Sequence, residues 1–523
     1  MTLRPVCLAL ILGGSIGFLA GWTNSSIAQP PKKDSVLRDP FFIEAPTWPQ
    51  GDLRTKASDW RTGKVELDKK SAKTKQDLDL IAKIIVYPVT DRKYFTPNIE
   101  QKIGSGGKQI TELANPQPDT TMDGVMNTIT SYVLTPNQVT DSPYFQKDYI
   151  NEFGKSLDLA IQDVIKRAGN DPKAAIVRVN IGRALAIACR SGAVAHVPML
   201  VDLISKETTP PELQIQALRA AENLIAAGDI TRIREKPEVH SMKDEELAPL
   251  LNALEKAIER YSQLALPSAP PPPPPAAAVA VPPAPATKPV DPKAPAKAPA
   301  APEPPKPEGR IETVVTPPPY DADVAMYLRK QAVRALSKCR KVHFWDANQT
   351  LARPGVLLAK FAVGDPTVQP TATPAEFCDA AIGLSQMVPD PKVNYDVQLD
   401  ALAAGVAGYA RWKVANPDMK EVKTLQWKKT AQQLLNAMQA LKVLPDKSPV
   451  AGANRQKLTG LVDVINREVL DPIKSEQENV AATSARPDEV FRWRFEPANQ
   501  RKTDLLIKDD AKSKVTLPPT VRR

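Results

Sequence analysis

Apolar residues recur every three or four positions along most of this chain, the period that puts side chains on one face of an α-helix. The clearest run lies between Asp171 and Ile230. Val177, Ile181, Ala184, Leu185 and Ala188 share one face of a first expected helix, while Arg178, Arg183 and Arg190 fall mostly elsewhere. Ser191-Gly192 closes it, because glycine accepts the left-handed conformation that ends many helices. A second helix is expected from Val194 to Ser205, with Val197, Leu200, Val201 and Ile204 inward. Thr209-Pro210-Pro211 then breaks the chain and starts a third, whose buried side is Leu213, Ala217, Leu218, Ala221, Leu224 and Ile225. Alanine at facing positions lets helix axes approach closely, and helices this short need neighbours to be stable.

The same spacing predicts helices over 69–87, 98–114, 121–134, 143–168 and 244–264. Farther on it predicts one helix carrying Val324, Leu328, Ala332, Ala335, Leu336 and Cys339, then others over 350–362, 374–387, 394–415, 418–443 and 449–469. Between the two sets, residues 265–319 are low complexity, built of Pro and Ala with scattered Lys and Glu. Such a segment buries too little to fold and favours extended polyproline II, so a disordered, semi-rigid tether is expected. Residues 29–68 read as an extended arm in which Phe41, Phe42, Ile43 and Trp48 are apolar anchors. The arm is either a strap over the first helices or a docking motif. Residues 471–523 are mostly polar and expected to be largely disordered, with Phe491, Trp493 and Phe495 able to pin one turn.

Three phrases carry the helical seam in a related form: VRVNIGRALAIA (177–188), ELQIQALRAAENLI (212–225) and YLRKQAVRALSKC (327–339). In these the chain resembles HEAT-like, armadillo-type helical repeats, antiparallel helix pairs of about 40 residues that stack side by side. The resemblance implies an all-α fold, a HEAT-like superhelix in two units, 69–264 and 320–470, joined by the Pro/Ala-rich segment. An irregular helical bundle is the alternative. Such seams are degenerate and speak to fold, hardly to activity.

Length and composition fit this outline. At 523 residues the chain exceeds what one core usually holds, and 53 prolines point to the long extended segment. Aromatic content of 5% suits alanine-rich helix stacking better than a β-sandwich. Residues 1–28 read as an export signal: Arg4, the apolar run Val6 to Ala20, and small residues ending at Ala28. An uncleaved anchor is the alternative, and no later segment is apolar enough to span a membrane. An exported, periplasmic or extracellular protein is expected. Loss of residues 1–28 leaves a formal charge of +9 from +10, a balance that suits solubility or contact with anionic envelope polymers. Nucleic acid is not an expected partner of an exported chain.

Candidate chemistry is sparse. His196, His240 and His343 are far apart and none sits in metal-ligand spacing, so no metal or cofactor is expected. Ile103-Gly104-Ser105-Gly106-Gly107-Lys108 lacks the Walker glycine spacing and reads as a turn or a helix interruption. His343 beside Asp346 suggests an acid–base pair, without a recognisable nucleophile near it. Cys339 and Cys378 are a possible disulfide; free, buried thiols at Cys189, Cys339 and Cys378 are the simpler reading.

The best surface is basic. Arg329, Lys330, Arg334, Lys338, Arg340 and Lys341 crowd one helix and its exit. Arg411, Trp412 and Lys413, with Trp427, Lys428 and Lys429, set aromatic beside cationic side chains on other helices. Solvated outer faces with the tryptophans packed inward would look the same in sequence. The expected function is a non-catalytic scaffold or adaptor that binds a protein partner in the cell envelope. The alternatives are a binder of anionic wall polymer and an envelope hydrolase with a site near His343.

Overall fold

The computed structural model describes residues 40–49, 51–95, 99–103, 109–113, 121–134, 146–230, 242–266, 320–345, 350–388, 390–416, 427–442, 453–475 and 484–517. The expected export signal, the body of the Pro/Ala-rich segment, the glycine cluster 104–108, His240 and Asp346 lie outside these residues.

The described residues are mainly helical. In the first part the helices are α1 (Leu53–Thr62), α2 (Ala72–Val86), α3 (Met122–Val133), α4 (Gln146–Ala168), α5 (Ala175–Ala188), α6 (Val197–Ser205), α7 (Pro211–Ile230) and α8 (Asp244–Leu264). They continue as α9 (Ala322–Leu336), α10 (Pro354–Val363), α11 (Pro374–Gln386), α12 (Tyr395–Ala415), α13 (Trp427–Lys442), α14 (Ala453–Ile465), α15 (Asp471–Ser475) and α16 (Pro487–Phe495). Two antiparallel ribbons accompany them, β1 (Ile99–Ile103) with β2 (Gln109–Leu113) and β3 (Phe344–Trp345) with β4 (Thr350–Ala352).

Contacts run mainly between helices close in sequence: α2 packs on α4, α4 on α5, α5 on α7, and α6 on α7 and α8. The series continues with α9 against both α7 and α8, so the two expected units share one packed body. Small residues permit these approaches. A Cβ built at Gly182 of α5 would lie 2.5 Å from the Gln216 Cβ of α7. Several buried charges are paired. Arg178, 4% exposed, donates through Nε to Glu212 (2.7 Å) and through Nη1 to the carbonyls of Gly169 and Asp171, tying α5 to α7.

Four expectations are corrected. Within the expected helix 98–114, residues 99–103 and 109–113 are strands instead; Ile99 pairs with Leu113 and Ile103 with Gln109 in a ribbon. Three glycines within 104–107 disfavour a helix there, and a glycine-rich break between short β-capable runs is a hairpin signal. The arm is extended only in part. Phe41 is buried and Trp48 stacks on Tyr132 at 5.9 Å, but Leu53, Ala57 and Trp60, spaced for a helix, bury one face of α1. The segment 350–362 begins as strand β4, because Arg353 precedes a proline that sets the first turn of α10. Finally, the tail is folded over 484–517. Val490, Leu506, Ile507 and Val515 are buried, and Arg494 makes a two-pronged bond to Asp400 of α12 at 2.6 and 2.9 Å. Hydropathy misses this segment, since a buried arginine looks polar.

Candidate functional site

α11 starts with a capping box. Thr373 Oγ1 accepts from the Glu376 N–H, and the Glu376 carboxylate accepts from the Thr373 N–H at 2.8 Å. That carboxylate also takes Nε and Nη2 of Arg329 at 2.8 and 2.9 Å, and both side chains are fully buried. The bond pins α9 to the start of α11. At the other end of α11, Gly383 lets the two elements touch: a Cβ there would lie 2.9 Å from Ser337 Cα. α13 also packs against α11.

These three elements enclose an open groove of about 880 Å³. One wall is α9 and its exit, with Lys330, Arg334, Lys338 and Arg340. α9 is covered by α7 and α8 and by α11; beyond its exposed first residues, Ala322 and Asp323, a stripe with Tyr327, Lys330, Arg334 and Lys338 reaches solvent. The floor is α11, with Ala375, Cys378, Asp379, Ile382 and Ser385. The facing wall is α13, with Lys429, Thr430, Gln433 and Asn436, and Trp427 and Tyr409 also line the groove. Their rings lie 4.6 Å apart, and the Tyr409 hydroxyl donates to the Trp427 carbonyl.

Two carboxylates moderate the basic wall. Glu222 of α7 accepts from Arg334 Nε at 3.1 Å and lies 3.4 Å from Lys338 Nζ. Asp379 stands among Lys330, Arg334 and Lys338. Burial pushes its carboxyl up to about 6, opposed by those three cations and reinforced by Glu222. The Cys378 thiol is pushed well up by burial, which leaves it in the poorly nucleophilic thiol form at neutral pH.

The sequence-derived surface is therefore split. Lys330, Arg334, Lys338 and Trp427 come together in the groove, joined by Arg340 and Lys429. Arg329 does not belong to it. One residue before Lys330, it is rotated onto the α11 side and consumed by Glu376. Arg411 pairs with Asp488 at 2.6 Å and lies over the Phe491 ring, facing α16. Trp412 packs half-buried on the core, and Lys428 is half-buried outside the groove lining. Lys341 pairs with Asp244, and Lys413 is buried with its ammonium 5.5 Å from the Trp427 ring centre. Sequence reasoning missed Asp379 and Glu222, which reach the basic row from other helices and leave no local signal.

The histidines take other roles. His196 is fully buried, its Nδ1 2.6 Å from Asp158 Oδ1, where it joins the turn before α6 to α4. His343 is buried edge-on to Trp345, and burial lowers its pKa. Cys189, Cys339 and Cys378 are all buried, and none of them is joined in a disulfide. Among the described residues no three His, Cys, Asp or Glu side chains gather to hold a metal, and no helix is long and apolar enough to cross a membrane. Set against known proteins, the chain matches no family model, no curated protein and no solved structure.

Proposed function

We propose that the chain is an exported, non-catalytic scaffold or adaptor of the cell envelope, built of HEAT-like stacked helices, that holds a protein partner in the groove between α9, α11 and α13. The observation that carries this reading is the groove itself: a cationic wall, a facing wall of polar groups that also carries Lys429, and an aromatic pair, in a space large enough for a segment of chain. The three phrases that resemble helical repeats lie on α5, α7 and α9, which pack in succession, and this supports the stacked-helix reading. The apolar run Val6 to Ala20 behind Arg4 supports export.

A crosslinking pull-down from native envelopes tests it, using the full chain beside a Lys330→Glu/Lys338→Glu variant. One protein captured by the parent and lost from the variant is the expected result. Capture unchanged by charge reversal would place the working surface elsewhere. Recovery of wall polymer alone, released as salt rises, would replace the protein partner with an anionic polymer.

A further inference from the structure

The geometry points to an extended acidic segment of the partner protein as the occupant of the groove, its alternate carboxylates matched to the row Lys330, Arg334, Lys338. This deepens the scaffold reading and rests on it. Lys330 and Arg334 stand four residues apart on α9, a rise of about 6 Å, and Lys338 continues the row in the turn that follows. In an extended chain every second side chain points the same way, with a repeat of about 6.6 Å. Carboxylates at positions i, i+2 and i+4 therefore meet successive cations with little mismatch.

The facing wall suits the same occupant. Thr430, Gln433 and Asn436 offer a hydroxyl and two amides. These pair with the open main-chain N–H and C=O groups of an extended segment, groups that a helix satisfies internally. Glu222 already shows how the row takes a carboxylate, with one oxygen near both Arg334 and Lys338. Glu222 and Asp379 also compete with an incoming acidic chain. Neutralising either one strengthens binding, an effect that damage to the fold does not produce.

The test is fluorescence anisotropy on the full chain with a labelled peptide of about nine residues, Glu alternating with Ser. Controls are a peptide of the same composition with its Glu in one block, a Gln-for-Glu peptide, and polygalacturonate as a wall-polymer mimic. The alternating peptide is expected to bind about fivefold tighter than the block peptide, and the Gln peptide not to bind. Asp379→Asn and Glu222→Gln should each tighten binding about threefold, and Lys330→Glu should weaken it about tenfold. Equal binding of the two acidic peptides, or displacement by polygalacturonate at lower carboxylate concentration, overturns the inference in favour of a polymer. Binding of no peptide also overturns it, while a pull-down partner lost on charge reversal would still uphold the scaffold.

Discussion

Arg329 and Arg334 stand on one helix, five residues apart, yet the two faces of α9 give them opposite uses. On the inner face Arg329 has no exposure. Its Nε and Nη2 go to Glu376, its Nη1 donates to the Pro370 carbonyl, and its guanidinium lies 5.3 Å from the Phe361 ring centre. On the groove face the Arg334 side chain is 49% exposed and shares Glu222 with Lys338. A buried guanidinium with every edge bonded holds helices together. An exposed one, sharing a single carboxylate, is still available to a ligand. Counting charges along the sequence treats them alike, so the difference is made by what packs on each side.

The comparison is broken most severely at Arg329. Arg329→Ala leaves Glu376 charged and buried, and thermal or denaturant unfolding should show a loss of about 3–5 kcal/mol. Replacing both partners by apolar residues of similar volume should recover most of that loss, which separates the pair from its packing. Next comes Gly383→Val, which drives a side chain into Ser337 and should cost about 1–3 kcal/mol. Without that close contact, α11 no longer holds the groove floor against the basic wall.

A smaller effect follows pH. Asp379 holds its proton up to about 6 in the folded chain, above the ordinary carboxyl value of 3.8. Its contribution to stability is fully present below that ordinary value and is lost as pH rises through about 6. Asp379→Asn, permanently neutral, should therefore gain melting temperature over the parent progressively between about pH 4 and 6 and keep that gain above it. A constant difference across that range would show that the carboxyl is not buried as described. Smallest of all, Arg334→Ala should change unfolding stability by less than about 1 kcal/mol. The same variant should clearly weaken binding of the acidic peptide, the reverse of the pattern at Arg329.

Long helices with clear end signals were legible in sequence. The expected span 244–264 is the observed one, 374–387 is Pro374–Gln386, and 394–415 is Tyr395–Ala415. The reading failed where local pattern and tertiary packing part company. The ribbon at 99–113 hid behind apolar residues that fit a helical period, although its glycines argued otherwise. The tail at 484–517 hid because few apolar residues and the buried pairing of Arg494 and Arg501 with Asp400 fasten it. Of the groove, the cationic stripe was visible. Its acidic moderators were not, since Glu222 and Asp379 converge on α9 from α7 and α11.

The return of the chain at Tyr320 has a consequence of its own. The Tyr320 hydroxyl donates to the Thr209 carbonyl, and its ring lies 6.4 Å from that of Tyr261 near the end of α8. Residues 267–319 thus leave and re-enter one body at neighbouring points, and their length is not what holds the two halves together. A protease cut within them should leave a nicked protein that still sediments as a single particle. Because the two ends are already neighbours, lengthening or shortening the stretch between them should cost little, about 0.6 kcal/mol of closure entropy for each doubling of length. That makes it a permissive place for insertion, where the chain can acquire new sequence without renegotiating its core.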